Sequence, residues 1–408
     1  MLGHHGLAAG LRRLGADARA GNPSRPPSEG TTPLNSIVQL LAGGFVVSLV
    51  LGGAAQASQF CPQGGLREAV VEGRPQRLSA YFAATGFALL AVAGLQWLLH
   101  QGLQPSHPPY LSPHFAWGRY VLGGLLFGSG MVLARGCPLR TLVLSAQGSV
   151  PALLSLGAMS VAAFAMTSGF VFNDWIAPWI LRLNLDLGRW GWQSQGLDAL
   201  PGLHGWQARA LLGLALGALV LVLAARASAG ETRRMRWAGS ALIGLMVAAG
   251  YWLTAGPLGT RAANDAAFMS QPPDGMGVQS FSFAGPLSDL AHFAMHAHAQ
   301  TFTFGVVLVL GTFLGAAISA LVRREFRVQL PREPRDLARR LLGALMTGAG
   351  AVLGLGCTVG HGLSGLSVLS LGSALGLACI FAGALGTIWI ESRCGAKAPV
   401  GLRAQWES

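Results

Sequence analysis

The sequence predicts an all-α polytopic membrane protein built from two related halves. Hydrophobic residues make up 52% of its 408 residues and charged residues only 11%, well below the roughly 25% charged residues of ordinary soluble domains. The mean hydropathy is +0.49, and the 58 glycines suit membrane helices, which approach one another through small residues. The net charge of +12 does not favour nucleic-acid binding, because the arginines are spread over linkers between apolar segments.

One glycine-rich motif occurs twice, once in each half of the chain. The first copy ends at Cys137 and the second at Cys357, each in a glycine-framed break between apolar segments. Aligning the two cysteines pairs Arg119 with Arg339, Gly123 with Gly343, Gly128 with Gly348, Gly130 with Gly350, and Gly136 with Gly356. Duplicated apolar halves are typical of transporters, so the repeat favours that class.

Nine apolar segments are long enough to cross a hydrocarbon core of about 30 Å. They are 34–55, 79–100, 118–134, 151–172, 206–225, 237–258, 301–322, 338–353 and 372–391. Shorter stretches broken by glycine or proline lie around Cys61, Cys137, residues 283–289 and Cys357. Irregular backbone survives at membrane depth only where protein or a polar path surrounds it, so we expect four re-entrant half-helices.

Basic residues are concentrated in every second linker between these crossings. Those on one side hold most of the arginines, including Arg67, Arg77, Arg135 and Arg339. The positive-inside rule then places the N-terminus outside and the C-terminus in the cytoplasm, although the N-terminal tail also carries arginines. In this orientation the halves are related by inversion, and such transporters bind their substrate near the midplane, where broken helices meet.

This topology divides the chain into five parts. They are a mobile polar tail (1–33), a first repeat of four crossings and two half-helices (34–172), an interfacial loop with a connecting crossing (173–236), an inverted second repeat (237–395) and a C-terminal tail (396–408). The tail is not a secretory signal peptide, because it is polar and rich in Gly, Pro and Arg. Tryptophans of the loop favour the outer membrane interface.

Two of the breaks place a cysteine directly before a proline. Proline is favoured at the first helical position, so Pro62 and Pro138 put Cys61 and Cys137 at helix caps, near unpaired N–H groups that attract anions. Cys357 is followed by Thr358, and the fourth break carries Ala284. The five cysteines are odd in number and several lie at membrane depth, so we expect no disulfide framework. We interpret Cys379 and Cys394 as packing residues.

Three motifs together resemble the YeeE/YedE membrane family over residues 34–395. They are Phe60-Cys61-Pro-Gln-Gly-Gly, Arg135-Gly-Cys137-Pro-Leu-Arg-Thr and Gly354-Leu-Gly-Cys357-Thr-Val-Gly-His361. Studied members of that family take up thiosulfate. The resemblance implies a bacterial inner-membrane permease for a reduced-sulfur anion, with one cysteine per motif along its path. It also implies a small cytosolic sulfur-carrier protein as a possible partner, and no cofactor.

We therefore predict a relay in which thiols donate weak S–H hydrogen bonds to thiosulfate or a related anion. The predicted pathway residues are Cys61, Cys137, Cys357, His361, Arg140, Pro62, Pro138 and Ala284. His361 is either a titrating group of the path or a backbone hydrogen-bond partner. Carriers driven by protons or sodium ions usually keep a carboxylate at membrane depth, and the acidic residues of this sequence lie in loops or at segment ends. We therefore expect facilitated passage without an identified coupling ion.

Other functions stay open at this point. An activated cysteine could keep the sulfane sulfur as a persulfide, which would make the protein a membrane sulfurtransferase. A selenium compound could be the substrate, since the resembled family includes members linked to selenium metabolism. The cysteines could instead gate an anion channel by oxidation. His292, His296 and His298 could share a metal ion, but we favour a polar cluster at the outer interface.

Overall fold

The computed structural model describes residues 33–168, 171–197, 205–228, 233–270, 272–298, 301–331 and 333–393. Its longer helices are α1 (Pro33–Ala57), α2 (Pro62–Val71), α3 (Gln76–Leu99), α4 (Trp117–Leu133), α5 (Pro138–Ala146), α6 (Val150–Thr167), α7 (Trp206–Ala227), α8 (Arg233–Ala255), α9 (Pro257–Ala267), α10 (Ala284–Met295), α11 (Phe304–Val322), α12 (Pro334–Leu353) and α13 (Leu371–Arg393). The predicted tails, apart from the last residue of 1–33, lie outside the described residues.

Short elements complete the described part of the chain. They are the π-helical turns Val171–Ile176 and Gly360–Gly365, the helix Ala177–Ile180, the 3₁₀ turns Leu181–Leu183 and Leu187–Trp190, and the strands β1 (His114–Phe115) and β2 (Leu185–Asp186). The two strands pair antiparallel. This pairing joins the loop after α6 to the linker before α4, at one end of the bundle.

The all-α membrane fold predicted from composition is confirmed. A helix occupies each of the nine predicted crossings, and eight helices of the described chain are long and apolar enough to span a membrane. The ninth, α12, has 20 residues, or about 30 Å at 1.5 Å per residue. It differs because Arg335, Asp336, Arg339 and Arg340 fill its first two turns.

The helices pack in a pattern that repeats between the halves. α1 packs on α11 as α8 packs on α3, and α4 packs on α13 as α12 packs on α6. The half-helices follow the same exchange, because α2 contacts α3 and α13 while α10 contacts α11 and α6. α7 packs on the outside of α3. The packing is therefore symmetric about the crossing of α4 and α12, the two copies of the repeated motif.

Glycines set the distance at that central crossing. A Cβ atom on Gly130 would lie 2.6 Å from the backbone nitrogen of Thr347, and one on Gly350 would lie 2.5 Å from that of Phe127. Neither distance is compatible with a real side-chain carbon, so both positions require glycine. The repeated glycines of the sequence thus let α4 and α12 touch backbone to backbone, as small residues do in membrane helix pairs.

Ion pairs gather at one end of the bundle. Arg67 of α2 contacts Glu391 of α13 at 3.0 Å, and Arg135, just after α4, contacts Asp336 of α12 at 2.5 Å. These residues belong to linkers that the sequence places on one side of the membrane, and the structure brings them together. We call this the arginine-rich end, defined by Arg67, Arg77, Arg135, Arg236 and Arg339. That it faces the cytoplasm stays a prediction.

Candidate functional site

Cys61 begins the half-helix α2. Its backbone is extended (φ −153°, ψ 99°), Pro62 is the first helical residue, and Sγ accepts a hydrogen bond from the N–H of Gly64 at 3.2 Å. The residue is buried. A sulfur therefore occupies the position that Ser, Thr or Asp oxygens usually take at a helix start. It faces the positive end of the helix dipole, where an anion is favoured.

Cys137 holds the same position at the start of the half-helix α5, but its side chain makes no cap hydrogen bond. Its backbone is extended (φ −76°, ψ 167°), Pro138 follows as the first helical residue, and the cysteine is fully buried. The chain turns into this break through a left-handed Arg135 (φ 62°), and the equivalent Leu355 before Cys357 has the same conformation (φ 63°). That conformation costs a non-glycine residue about 1 to 2 kcal/mol, so its recurrence marks the two breaks as equivalent.

Cys357 connects two broken segments. Its Sγ accepts hydrogen bonds from the N–H of Gly360 at 3.3 Å and from that of Phe283 at 3.4 Å. Gly360 lies in the helical turn that begins at Thr358, and Phe283 directly precedes α10, which starts at Ala284. The fourth break therefore contributes a backbone donor to Cys357 although it has no thiol of its own.

The three cysteines share one interior region. Cys137 lies within electrostatic reach of both Cys61 and Cys357. The fully buried Tyr81 of α3 connects their surroundings, because its hydroxyl donates to the carbonyl of Thr358 at 2.8 Å and its ring lies 5.9 Å from that of Phe60. Sequence analysis did not identify Tyr81. The sequence feature that could have pointed to it is a polar hydroxyl inside an otherwise apolar crossing.

Arg140 places a positive charge beside these thiols. It lies in the first turn of α5 and is only 6% exposed. It lies within electrostatic reach of Cys61 and Cys137. A buried cation next to two helix N-termini makes this region attractive to an anion, because both the guanidinium and the unpaired N–H groups favour negative charge.

His361 lies in the π-helical turn after Cys357. Its Nε2 donates to the carbonyl of Gly354 at 2.9 Å, and its ring lies 5.9 Å from the ring of Tyr110 and 5.8 Å from that of Tyr120. Nδ1 has no hydrogen-bond partner among the described residues. Sequence analysis left two roles open for His361, a titrating group of the path and a backbone hydrogen-bond partner. The observed contact corresponds to the second.

The loop after α6 reaches this part of the interior. Gln195 is fully buried, and its side-chain amide donates to the hydroxyl of Tyr120 at 3.3 Å. Its backbone carbonyl accepts from the N–H of Leu371 at 3.0 Å. Sequence analysis assigned no role to Gln195, and no local pattern distinguishes it. Trp175 and Trp179 of the same loop are about three-quarters exposed, at 74% and 73%. The predicted interface position of these rings stays a prediction.

The remaining candidates lie apart from the thiols. Cys379 is partly exposed on α13, and the cysteines at 61, 137, 357 and 379 are all free; Cys394 lies outside the described residues. The rings of His292 and His296 are 5.4 Å apart. Across the described ranges, no group of three or more His, Cys, Asp or Glu side chains could hold a metal ion.

This fold and these buried thiols define a polytopic membrane transport protein with a polar interior between two related helical halves. Residues 57–386 match the family described as sulphur transport. The chain therefore belongs to that family, and the resemblance to the YeeE/YedE family is confirmed.

Two curated relatives are similar over most of their length. The thiosulfate transporter TsuA of Escherichia coli (strain K12) is 26% identical over 367 residues, which cover 86% of this chain and 94% of the relative. The thiosulfate transporter TsuA of Spirochaeta thermophila is 25% identical over 287 residues, covering 67% of this chain and 77% of the relative. Both names describe transport, not catalysis.

Proposed function

We propose that this protein carries thiosulfate, or a closely related reduced-sulfur anion, across the bacterial inner membrane. The observation that carries the proposal is the burial of Cys61, Cys137 and Cys357 at breaks of a duplicated helical fold, close enough for Cys137 to interact with both others. The names of the two relatives support the choice of substrate.

The thiols act as a relay in this proposal. Thiosulfate is a dianion with a soft terminal sulfur, and an S–H group is a weak donor that can hold it without trapping it. Several weak sites in series favour passage over capture. The anion moves between Cys357 in one half and Cys137 and Cys61 in the other, while Arg140 and the helix N-termini offset its charge.

The direction of passage follows the proposed orientation. The arginine-rich end faces the cytoplasm, so Cys61 lies toward the inner side and Cys357 toward the outer side. A small sulfur-carrier protein receives the anion in the cytosol. An impermeant thiol reagent that fails to label Trp175→Cys on intact cells would contradict this orientation.

Uptake by the purified protein in liposomes tests the function. Thiosulfate labelled separately at each sulfur should enter with both labels in equal amounts, because the relay passes the anion intact. Unlabelled thiosulfate should compete, whereas sulfate and chloride should not, and selenium-containing anions complete the panel. Release of sulfite together with a mass gain on Cys137 or Cys357 would instead support a sulfurtransferase, and conduction of chloride an anion channel.

A further inference from the structure

A small pocket of about 10 Å³, room for one water molecule, lies at the arginine-rich end and has the first of the buried thiols in its wall. Cys61 lies in its wall together with Arg77 at the start of α3 and Arg236 in the first turn of α8. Ser58 and Ser240 add hydroxyl groups to the same wall. Both hydroxyls donate to backbone carbonyls, that of Ser58 to Ala54 and that of Ser240 to Ala80 and Arg236. The two guanidinium groups are therefore what favours an anion in this pocket.

A carboxylate already pairs with one arginine of this wall. Glu68 of α2 contacts Arg77 at 3.0 Å, with side chains only 23% and 10% exposed. Arg236 lies within electrostatic reach of both partners. Because Glu68 is on the half-helix that begins at Cys61, the ion pair connects α2 to α3 beside the pocket.

The charges of this pocket leave one cation in excess. Three arginines, Arg74, Arg77 and Arg236, lie within electrostatic reach of Glu68, and Glu72 is the second carboxylate of this group. Arg140, deeper in the protein, lies within electrostatic reach of Arg77 and Cys61. An arriving dianion can pair with the fork-shaped guanidinium groups at least as well as one carboxylate can. Burying a carboxylate without a partner is costly. A displaced Glu68 therefore competes with the anion for Arg77.

We propose that Arg77 and Arg236 form an anion-binding site beside Cys61 at this end of the passage, and that Glu68 is a built-in competitor for it. This inference rests on the proposed function. The anion leaving Cys61 displaces the carboxylate of Glu68 from Arg77. Return of Glu68 then displaces the anion into the solvent. The exchange prevents a strongly cationic pocket from holding its ligand.

Equilibrium binding of labelled thiosulfate to the purified full-length protein tests this exchange. Glu68→Gln removes the competitor, so it should tighten binding by about 3- to 10-fold, which corresponds to about 0.7 to 1.4 kcal/mol. It should also slow the loss of bound label after dilution. Arg77→Gln should weaken binding, and the double variant should bind as weakly as Arg77→Gln alone. A merely structural role for the ion pair predicts no tightening.

Glu72→Gln is the matched control. Glu72 follows α2 by one residue and pairs only loosely with Arg74, at 3.9 Å with both side chains largely exposed. Glu72 reaches Glu68 only electrostatically and does not pair with Arg77, so the same charge change there should alter binding far less than Glu68→Gln does. Equal or weaker binding by Glu68→Gln, or equal tightening by Glu72→Gln, would overturn the proposal.

Two further results separate this inference from the proposed function. If the unmodified protein does not bind thiosulfate, the proposed function fails; if it binds and Glu68→Gln does not tighten, only the competitor fails. Should Glu68→Gln not yield folded protein, Arg236→Gln decides, because it removes a partly exposed arginine of the pocket wall. It should weaken binding several-fold, and unchanged binding would overturn the site.

Discussion

A sulfur at the start of a half-helix differs in one important way from the oxygen that usually stands there. It is a weaker hydrogen-bond acceptor and its S–H is a weaker donor, so the contact at Cys61 (3.2 Å) and those at Cys357 (3.3 and 3.4 Å) can be exchanged for contacts with a passing anion at low cost. The helix dipole supplies a favourable potential whether or not the anion is present. The thiols of Cys61 and Cys357 are thus caps that can also act as transient ligands.

His361 provides a prediction at the same scale. Its Nε2 donates to the carbonyl of Gly354, and a glutamine amide can replace that donor. His361→Gln should therefore retain folding and uptake, with the same dependence on pH as the unmodified protein from about pH 6 to pH 8, the range in which histidine titrates. Liposome uptake measured across this range is the test. A flattened pH profile in the variant would show that His361 titrates during transport.

The half-helices and the central helix crossing determine where those residues lie. α4 and α12 cross at glycines, and each then leads through a left-handed residue into a cysteine-containing break. Because the two helices touch through their backbones, the breaks at their ends are held at a fixed separation. The approach of Cys137 and Cys357 thus depends on contacts between helices that contain neither thiol.

A substitution at the crossing should show this dependence. Gly130→Ala and Gly350→Ala each place a carbon within 2.7 Å of backbone atoms of the partner helix, and such overpacking costs about 1 to 3 kcal/mol. Both variants should lower the midpoint of thermal unfolding in detergent and reduce uptake. Gly94→Ala on α3 is the control, because its Cβ would have no neighbour within 4 Å. Equal stability of all three variants would contradict the proposed role of the crossing.

Across the whole molecule, the helix packing is symmetric between the two halves, whereas the residues around the cysteines are not. The helix contacts of the first half recur in the second, yet Cys137 is followed by Pro138 and Arg140 while Cys357 is followed by Thr358 and Gly360. The symmetric packing brings the thiols into one interior, and the asymmetric residues surround Cys137 and Cys357 with different side chains. An anion entering at one end therefore meets a different environment at the other.

The sequence predicted those features that depend on local patterns. Hydropathy located all nine crossings, and the Cys-Pro pairs located the caps at Cys61 and Cys137. Contacts between distant segments could not be predicted, because no local signal encodes them. The N–H of Phe283 reaches Cys357, and Gln195 reaches Tyr120, only once the helices have packed. The helix α9 was not predicted because its 11 residues are too few and too polar for a membrane crossing.

The central claim is that the three buried thiols carry the anion, and uptake of labelled thiosulfate by cysteine variants in liposomes tests it most directly. Cys137→Ala and Cys357→Ala should each lower uptake about tenfold or more, the equivalent of about 1.4 kcal/mol. Cys379→Ala, which removes a partly exposed thiol outside the path, should transport normally. Unchanged uptake by folded Cys137→Ala and Cys357→Ala proteins would contradict the relay.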